Sequence, residues 1–381
     1  MSGEPLRIAQ ILGKMNGGGV EQAVMNYYSA IDRDRIQFDF FLFKGSRRVP
    51  IEEIKGCGGR IYALCGFRHP FRYVRTLSAL LKENGYRVVH CHLGTLSFLP
   101  LLAAKRAGVP VRILHNHSTA GGGRELVRNA AKVLLKPWAK LFATDFLACS
   151  EYAAHWMYGK IPVCGLDDFS APHGSVRIMN NAIDTNAFRF DRHRRRDVRR
   201  ELGIAIKTLV FGHVGRFCPQ KNQQFLIDIF IEILKIHGDS RLVLVGEGSD
   251  KELIKARVIS AGISDKVIFT GQRSDTAALY SAFDCFLLPS QYEGLPVVGV
   301  EAQCSGLPCL FSDRVTREAK LTENAHFLSL KSPAADWACA AEALARLERN
   351  DTSEQTAEAG FDILSQGKRL ERFYLSKQSD G

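Results

Sequence analysis

A chain of 381 residues and 42.4 kDa exceeds what one hydrophobic core ordinarily supports, so two domains of ordinary size are expected. Hydrophobic residues make up 46% and charged residues 24%, which excludes a disordered chain, and no run approaches the roughly 18 apolar residues of a membrane span. The net charge of +11 lies almost wholly in the first half, where Met1 to Asp184 holds 24 Lys and Arg against 14 Asp and Glu. A field of that sign suits an anionic substrate, an acidic membrane surface or nucleic acid, and the absence of any nucleic-acid motif ranks the last of these lowest. Met1 to Arg7 lacks the basic and apolar regions of a signal peptide, so a cytoplasmic protein is expected. The ten cysteines are scattered without a Cys-x-x-Cys pair, which points to neither a disulfide framework nor a cysteine zinc site.

In chain order, Leu6 to Leu12 reads as a strand, Gly17-Gly18-Gly19 as a turn, and Glu21 to Ile31 as a helix. Strands follow at 38–43, 88–90, 111–114, 146–148 and 176–179, with helices at 74–83, 96–107 and 151–158. The run Arg192 to Arg200 reads as a solvated helix after a boundary near Asp184. The pattern then restarts, with strands at 208–214, 241–245, 267–269, 285–288 and 308–311 alternating with helices at 225–236, 251–261, 276–282 and 298–304. Strands alternating with helices imply parallel sheets covered on both faces, so the fold class is α/β with two doubly wound, Rossmann-like domains, residues 1–185 and 186–360. Ligands in such sheets sit beyond the carboxyl ends of the strands.

Two stretches carry chemistry there. In the first, a strand ends at Gly215 and is followed by Arg216, whose fork suits phosphate oxygens, and by Lys221 as a point charge. In the second, Glu293 precedes the tight stretch Gly294-Leu295-Pro296-Val297. A helix opens there with free N–H groups, and Glu301 sits just over one turn inside it. Two unpaired acids around an apolar helix opening are costly as mere structure, which favours a ligand role for both.

The joint pattern resembles the retaining glycosyltransferases of family 4, which have the GT-B architecture of two domains facing a cleft. The match rests on Gly17-Gly18-Gly19-Val20-Glu21, Val88-Val89-His90-Cys91-His92, Asn181-Ala182-Ile183-Asp184, Gly215-Arg216 with Lys221, Val245-Gly246-Glu247-Gly248, Phe269-Thr270-Gly271, and Glu293 with Glu301. Within the family it looks most like enzymes of capsule or exopolysaccharide assembly. The resemblance implies that Arg216 and Lys221 neutralise the diphosphate of a nucleotide-sugar donor, expected to be a UDP-sugar. It also implies that the Gly17 to Gly19 turn faces that donor, that Glu293 and the backbone of Gly294 to Val297 hold the sugar and phosphates, and that Glu301 binds ribose. Gly246 belongs to the same set of loops, and Gly271 and Arg273 are expected beside the base. Transfer without a bound metal or other cofactor follows from the same resemblance, as does a last helix, about 361–381, that returns to the first domain. The acceptor is expected to be a saccharide or lipid-linked saccharide.

The resemblance also places a histidine against the donor sugar, with His117 the first choice and His115 the second, while His90 and His92 take a structural or acceptor-side role. Alternate residues on a strand share a face, so the two His-x-His pairs also fit a metal-dependent hydrolase. A GT-B epimerase or hydrolase of nucleotide sugars is a further alternative. No Gly-x-x-x-x-Gly-Lys-Ser/Thr stretch exists, which removes a P-loop enzyme. Finally, Arg124, Arg128, Lys132, Lys136 and Lys140 recur at helical spacing beside Trp138, a pattern for peripheral docking on an anionic leaflet, with Pro137 expected to kink that helix.

Overall fold

The computed structural model describes residues 4–117 and 126–379, which form two compact units. One comprises Met1–Ala182 with Ile363–Gly381 and the other Ile183–Asp362.

The first unit is built on an eight-stranded sheet. Its strands are β1 (Leu6–Ile11), β2 (Ile36–Phe43), β3 (Ile61–Leu64), β4 (Val88–Cys91), β5 (Val111–Asn116), β6 (Asp145–Ala148), β7 (Val163–Gly165) and β8 (Val176–Ile178). Their order is β3-β2-β1-β4-β5-β6-β8-β7, and every pairing is parallel. All four residues of β4 are buried, as are seven of the eight in β2, because helices cover both faces. Strands β3 and β7 were not evident in the sequence. They are edge strands of four and three residues, too short to show a period against their surroundings.

The helix Ile363–Ser379 follows the second unit in the chain and packs in the first, where Leu370, Phe373 and Tyr374 join the core formed by Ile8, Phe38, Phe40 and Val88. A Cβ on Gly367 would lie 3.2 Å from the Cβ of Ala30, so a residue without a side chain lets this helix approach the helix Gly19–Ala30.

The second unit is a six-stranded parallel sheet of β9 (Leu209–Val214), β10 (Ser240–Val245), β11 (Val267–Gly271), β12 (Cys285–Leu288), β13 (Cys309–Ser312) and β14 (Ala325–Leu328). Its order is β11-β10-β9-β12-β13-β14. Trp337, fully buried on the helix Ala334–Ala345, meets Phe225 edge-on at 5.8 Å and ties two covering helices together.

The chain reverses its direction of strand addition between β1 and β4 in one sheet and between β9 and β12 in the other, and these are the points where α/β sheets open a crevice.

The arginine-rich helix Arg192–Glu201 differs from the solvated helix read from the sequence. Arg199 is buried, and both it and Arg195 donate to Asp284, at 2.7 and 2.6 Å, while Arg199 also caps the carbonyls of Ala282, Ile206 and Thr208. One carboxylate at the start of β12 turned part of an apparent basic patch into a buried clamp.

Candidate functional site

The second unit places its site residues after the two strands at the switch point. The backbone after β9 runs through Gly215 and Arg216 into a short turn, Pro219–Lys221. Lys221 extends to the loop after β12, where its Nζ lies 2.6 Å from Glu293 Oε1. Ser290 Oγ donates to the same carboxylate at 3.0 Å, and Gln220 Nε2 reaches Tyr292 O at 3.0 Å and Glu293 Oε2 at 3.3 Å. The two loops are joined by Gln291 N–H donating to Gln220 O at 2.7 Å. Glu293 therefore has a partner on each oxygen, and the pair is exposed by only 14% at Lys221 and 10% at Glu293. Arg216 is exposed, and its carbonyl accepts from Gln223 Nε2 at 2.9 Å.

Asn222 is the one non-glycine residue among those described with a left-handed backbone, φ 57°. Asparagine tolerates that conformation, and its Nδ2 donates to Pro289 O at 3.1 Å, which braces the Lys221 turn against the Glu293 loop.

Gly246 follows β10 with φ 137°, and a Cβ there would stand 2.1 Å from Gly215 O; a Cβ on Gly248 would stand 2.1 Å from Phe217 O. Both positions need glycine, because the loops after β9 and β10 run against each other with no room for a methyl group. Gly271, φ 69°, accepts from Gly246 N–H at 2.8 Å and so belongs to the same cluster of strand ends. Arg273 lies beside it but is clasped by Glu201 at 2.5 Å and Asp275 at 2.6 Å, so its guanidinium is already engaged.

Gly294, Leu295 and Pro296 lead into the helix Val297–Cys304. Glu301 is buried on that helix, and burial pushes its carboxyl up to about 7, opposed by the Tyr280 hydroxyl that donates to Oε2 at 2.9 Å. Gln220, Ser290 and Tyr280 were missed in the sequence as supports of the charged residues, although Gln220 stands beside Lys221 and Ser290 three residues before Glu293.

The first unit gathers four histidines at its own switch point. His90 lies on β4 with His92 just beyond it, and His115 lies on β5 with His117 just beyond. His90 Nε2 is 3.0 Å from His115 Nδ1, and His92 Nδ1 is 2.9 Å from His117 Nε2. Gln10 on β1 meets His92 Nε2 at 2.8 Å, Tyr374 OH meets His90 Nδ1 at 2.5 Å, and Asn181 Oδ1 lies 3.2 Å from His117 Nδ1. Burial lowers the basicity of all four rings, taking His117 to about 4 and the other three well below the ordinary value, so they are neutral at pH 7.

Ligand atoms of His90, His92 and His115 fall within 4.8 Å of one another, the spacing behind the metal reading, but the rings are paired with each other and with amide and hydroxyl groups. Gly17, φ 83°, Gly18 and Gly19 form the turn into the helix Gly19–Ala30, where Gly18 N–H donates to the Glu21 carboxylate.

These geometries accompany clear relationships. Residues 17–186 match the model of Glycosyltransferase Family 4, and residues 194–361 match that of Glycosyl transferases group 1. The putative glycosyltransferase EpsF of Bacillus subtilis is 32% identical over 100% of this chain and 99% of its own. The capsular polysaccharide biosynthesis glycosyltransferase CapH of Staphylococcus aureus is 25% identical over 78% of each chain. HepE of Anabaena, solved in complex with UDP-glucose, shares the fold at a TM-score of 0.77 and 17% identity, covering 97% of this chain and 99% of its own. Nothing in these relationships favours the hydrolase or epimerase alternatives. The chain belongs to glycosyltransferase family 4 and is a glycosyltransferase with the GT-B fold.

Proposed function

We propose that this glycosyltransferase moves a glycosyl group, with retention, from a UDP-sugar to a hydroxyl of a saccharide or lipid-linked saccharide in capsule or exopolysaccharide assembly. The observation that carries the reading is the Lys221–Glu293 pair at 2.6 Å across the loops after β9 and β12. It holds a cation and an anion side by side where a sugar diphosphate needs both. Lys221, with exposed Arg216, neutralises the charge that grows on the departing diphosphate, while Glu293 accepts from sugar hydroxyls. Gly215, Gly246 and Gly271 let the strand-end loops close on one another beside the donor, Gly294 to Val297 offer backbone to the sugar phosphate, and Glu301 accepts from the ribose diol. Arg273 borders the base through its side chain's edge, its charge being balanced by Glu201 and Asp275. The Gly17-Gly18-Gly19 turn keeps the donor-phosphate role implied by the resemblance, and His117 the donor-sugar contact. No side chain is assigned as general base; the leaving phosphate takes the acceptor proton.

The acceptor class is supported by a relative from Escherichia coli, named as a galactosyltransferase acting on a GlcNAc-diphosphoundecaprenol, 28% identical over 62% of this chain. For such an acceptor we assign the helix Leu126–Phe142 to the membrane surface. Pro137 lies within it without ending it, and Leu134, Trp138 and Leu141 are 72%, 57% and 63% exposed. Of the basic residues expected there, Lys136 folds onto Trp156, 3.8 Å from the ring centroid, and donates to its carbonyl. Arg124 and the side chain of Arg128 lie outside the described residues. Among the described residues this helix thus exposes the apolar Val133, Leu134, Trp138 and Leu141, on a unit that carries 28 Lys and Arg against 15 Asp and Glu.

The donor reading is tested by thermal shift against UDP, GDP and ADP and their common sugars, since a ligand bound only by the folded state raises its melting temperature. A shift confined to uridine nucleotides is expected; a shift with another base, or with zinc alone, would overturn the assignment.

A further inference from the structure

The four histidines, Gln10, Tyr374 and Asn181 make one unbranched chain. In order it runs His115, His90, Tyr374, Gln10, His92, His117, Asn181, with contacts of 3.0, 2.5, 3.2, 2.8, 2.9 and 3.2 Å. Each inner member has one position that gives a hydrogen and one that receives it. A neutral imidazole donates from one nitrogen and accepts at the other, a phenol does both at its oxygen, and a primary amide donates from nitrogen and accepts at oxygen. The direction of donation is therefore the same along the whole chain, and only two arrangements exist. If donation runs toward His115, all four rings carry hydrogen on Nε2. If it runs toward Asn181, all four carry it on Nδ1.

The two amides, as oriented, disagree. Gln10 Nε2 faces Tyr374 and so favours the first direction, while Asn181 Oδ1 faces His117 Nδ1 and so favours the second. An amide turns over without changing shape, so each direction requires one amide to turn. The difference lies at the other end of the chain, where His115 Nε2 is buried with no partner among the described residues. The first direction leaves a buried N–H there, the second a bare lone pair. A buried orphan N–H is the rarer and costlier of the two.

We propose that the chain donates toward Asn181, and that Gln10 and Tyr374 are positioning residues that fix His117 as its Nδ1–H tautomer. His117 Nε2 is committed to His92, so Nδ1, at the partly exposed end of the chain, is the nitrogen that can exchange Asn181 for a ligand. The tautomer then makes His117 a hydrogen donor to an acceptor oxygen of the donor sugar. This rests on the reading of His117 as a donor-sugar residue; the tautomer itself can be observed without substrate.

The test is long-range 15N–1H correlation on 15N-histidine-labelled protein at pH 7.5, which distinguishes Nδ1–H, Nε2–H and doubly protonated rings, with signals assigned by single His→Gln variants. Four Nδ1–H rings are expected. Gln10→Glu replaces the amide with a carboxylate that only accepts, so His92 and His117 should convert to Nε2–H while His90 and His115 stay as they were. Tyr374→Phe cuts the chain at its centre, so His90 and His115 should become mixed while His92 and His117 hold. Four Nε2–H rings, a mixed wild type, a protonated ring, no response to either substitution, or zinc binding that replaces the N–H signals would each overturn the proposal. With the tautomers as expected, kcat/KM for the donor should fall roughly tenfold in Gln10→Glu, the scale of one hydrogen bond. An unchanged value would remove His117 from the sugar contact, and the positioning role with it, while leaving the nucleotide-binding result of the thermal-shift screen untouched.

Discussion

The two units treat polarity in opposite ways at equivalent places in their sheets. At its switch point the second unit sets full charges in contact, Lys221 against Glu293, on loops that keep some access to solvent. The first unit sets neutral rings in contact, His90 against His115 and His92 against His117, with His90 and His115 fully buried. Net charge runs the other way: the first unit has 28 Lys and Arg against 15 Asp and Glu, the second 23 against 25. Total charge is therefore a poor guide to where charge is used. A charged pair exchanges partners when an ionic ligand arrives, whereas a neutral buried chain keeps its geometry and fixes hydrogen positions instead.

The sharpest way to break the contrast is to remove one half of the charged pair. Lys221→Ala and Glu293→Ala should each lower kcat/KM by about 100- to 1000-fold, the range typical for loss of a preorganised group facing transition-state charge. Circular dichroism and melting should show a folded protein. Rates near wild type in either variant would end the assignment of that residue.

A second effect is smaller and separates the units by pH. The Glu301 carboxyl is pushed up to about 7 by burial, above its value in an unfolded chain, so its contribution to stability is full below the unfolded pKa and is lost as pH rises through 7. In the proposed role at the ribose diol, Glu301 accepts from the hydroxyls in its ionised form. The affinity for UDP, measured by calorimetry, should thus weaken by up to tenfold per unit as pH falls below 7. Glu301→Gln should flatten that profile, and a slope retained in the variant would assign the dependence elsewhere.

The smallest effect concerns the first unit's surface. Replacing Leu134 and Trp138 with Ser should reduce co-sedimentation with anionic vesicles severalfold while leaving turnover on a soluble acceptor unchanged. Equal sedimentation of wild type and variant would sink the docking assignment.

The alternation of strands and helices, both sheets' central strands, and the positions of Lys221, Glu293 and Glu301 after strands were legible in the sequence because fully buried parallel strands stand out as apolar runs. What the sequence concealed was pairing. Nothing local announces that Arg195 and Arg199 close on Asp284, that Lys136 folds onto Trp156, or that Arg273 is held by Glu201, since each partner is distant in the chain. The two His-x-His pairs were visible, but Gln10 and Tyr374, which join them, come from β1 and from the helix Ile363–Ser379.

That helix has a consequence for how the protein is made. The first unit's core includes Leu370, Phe373 and Tyr374, residues translated only after the whole second unit. The unit begun earliest at the ribosome is thus completed latest. Until then it waits with its seat beside Phe38 and Ile8 bare, a sticky surface that invites chaperones and penalises any premature stop beyond Asp362.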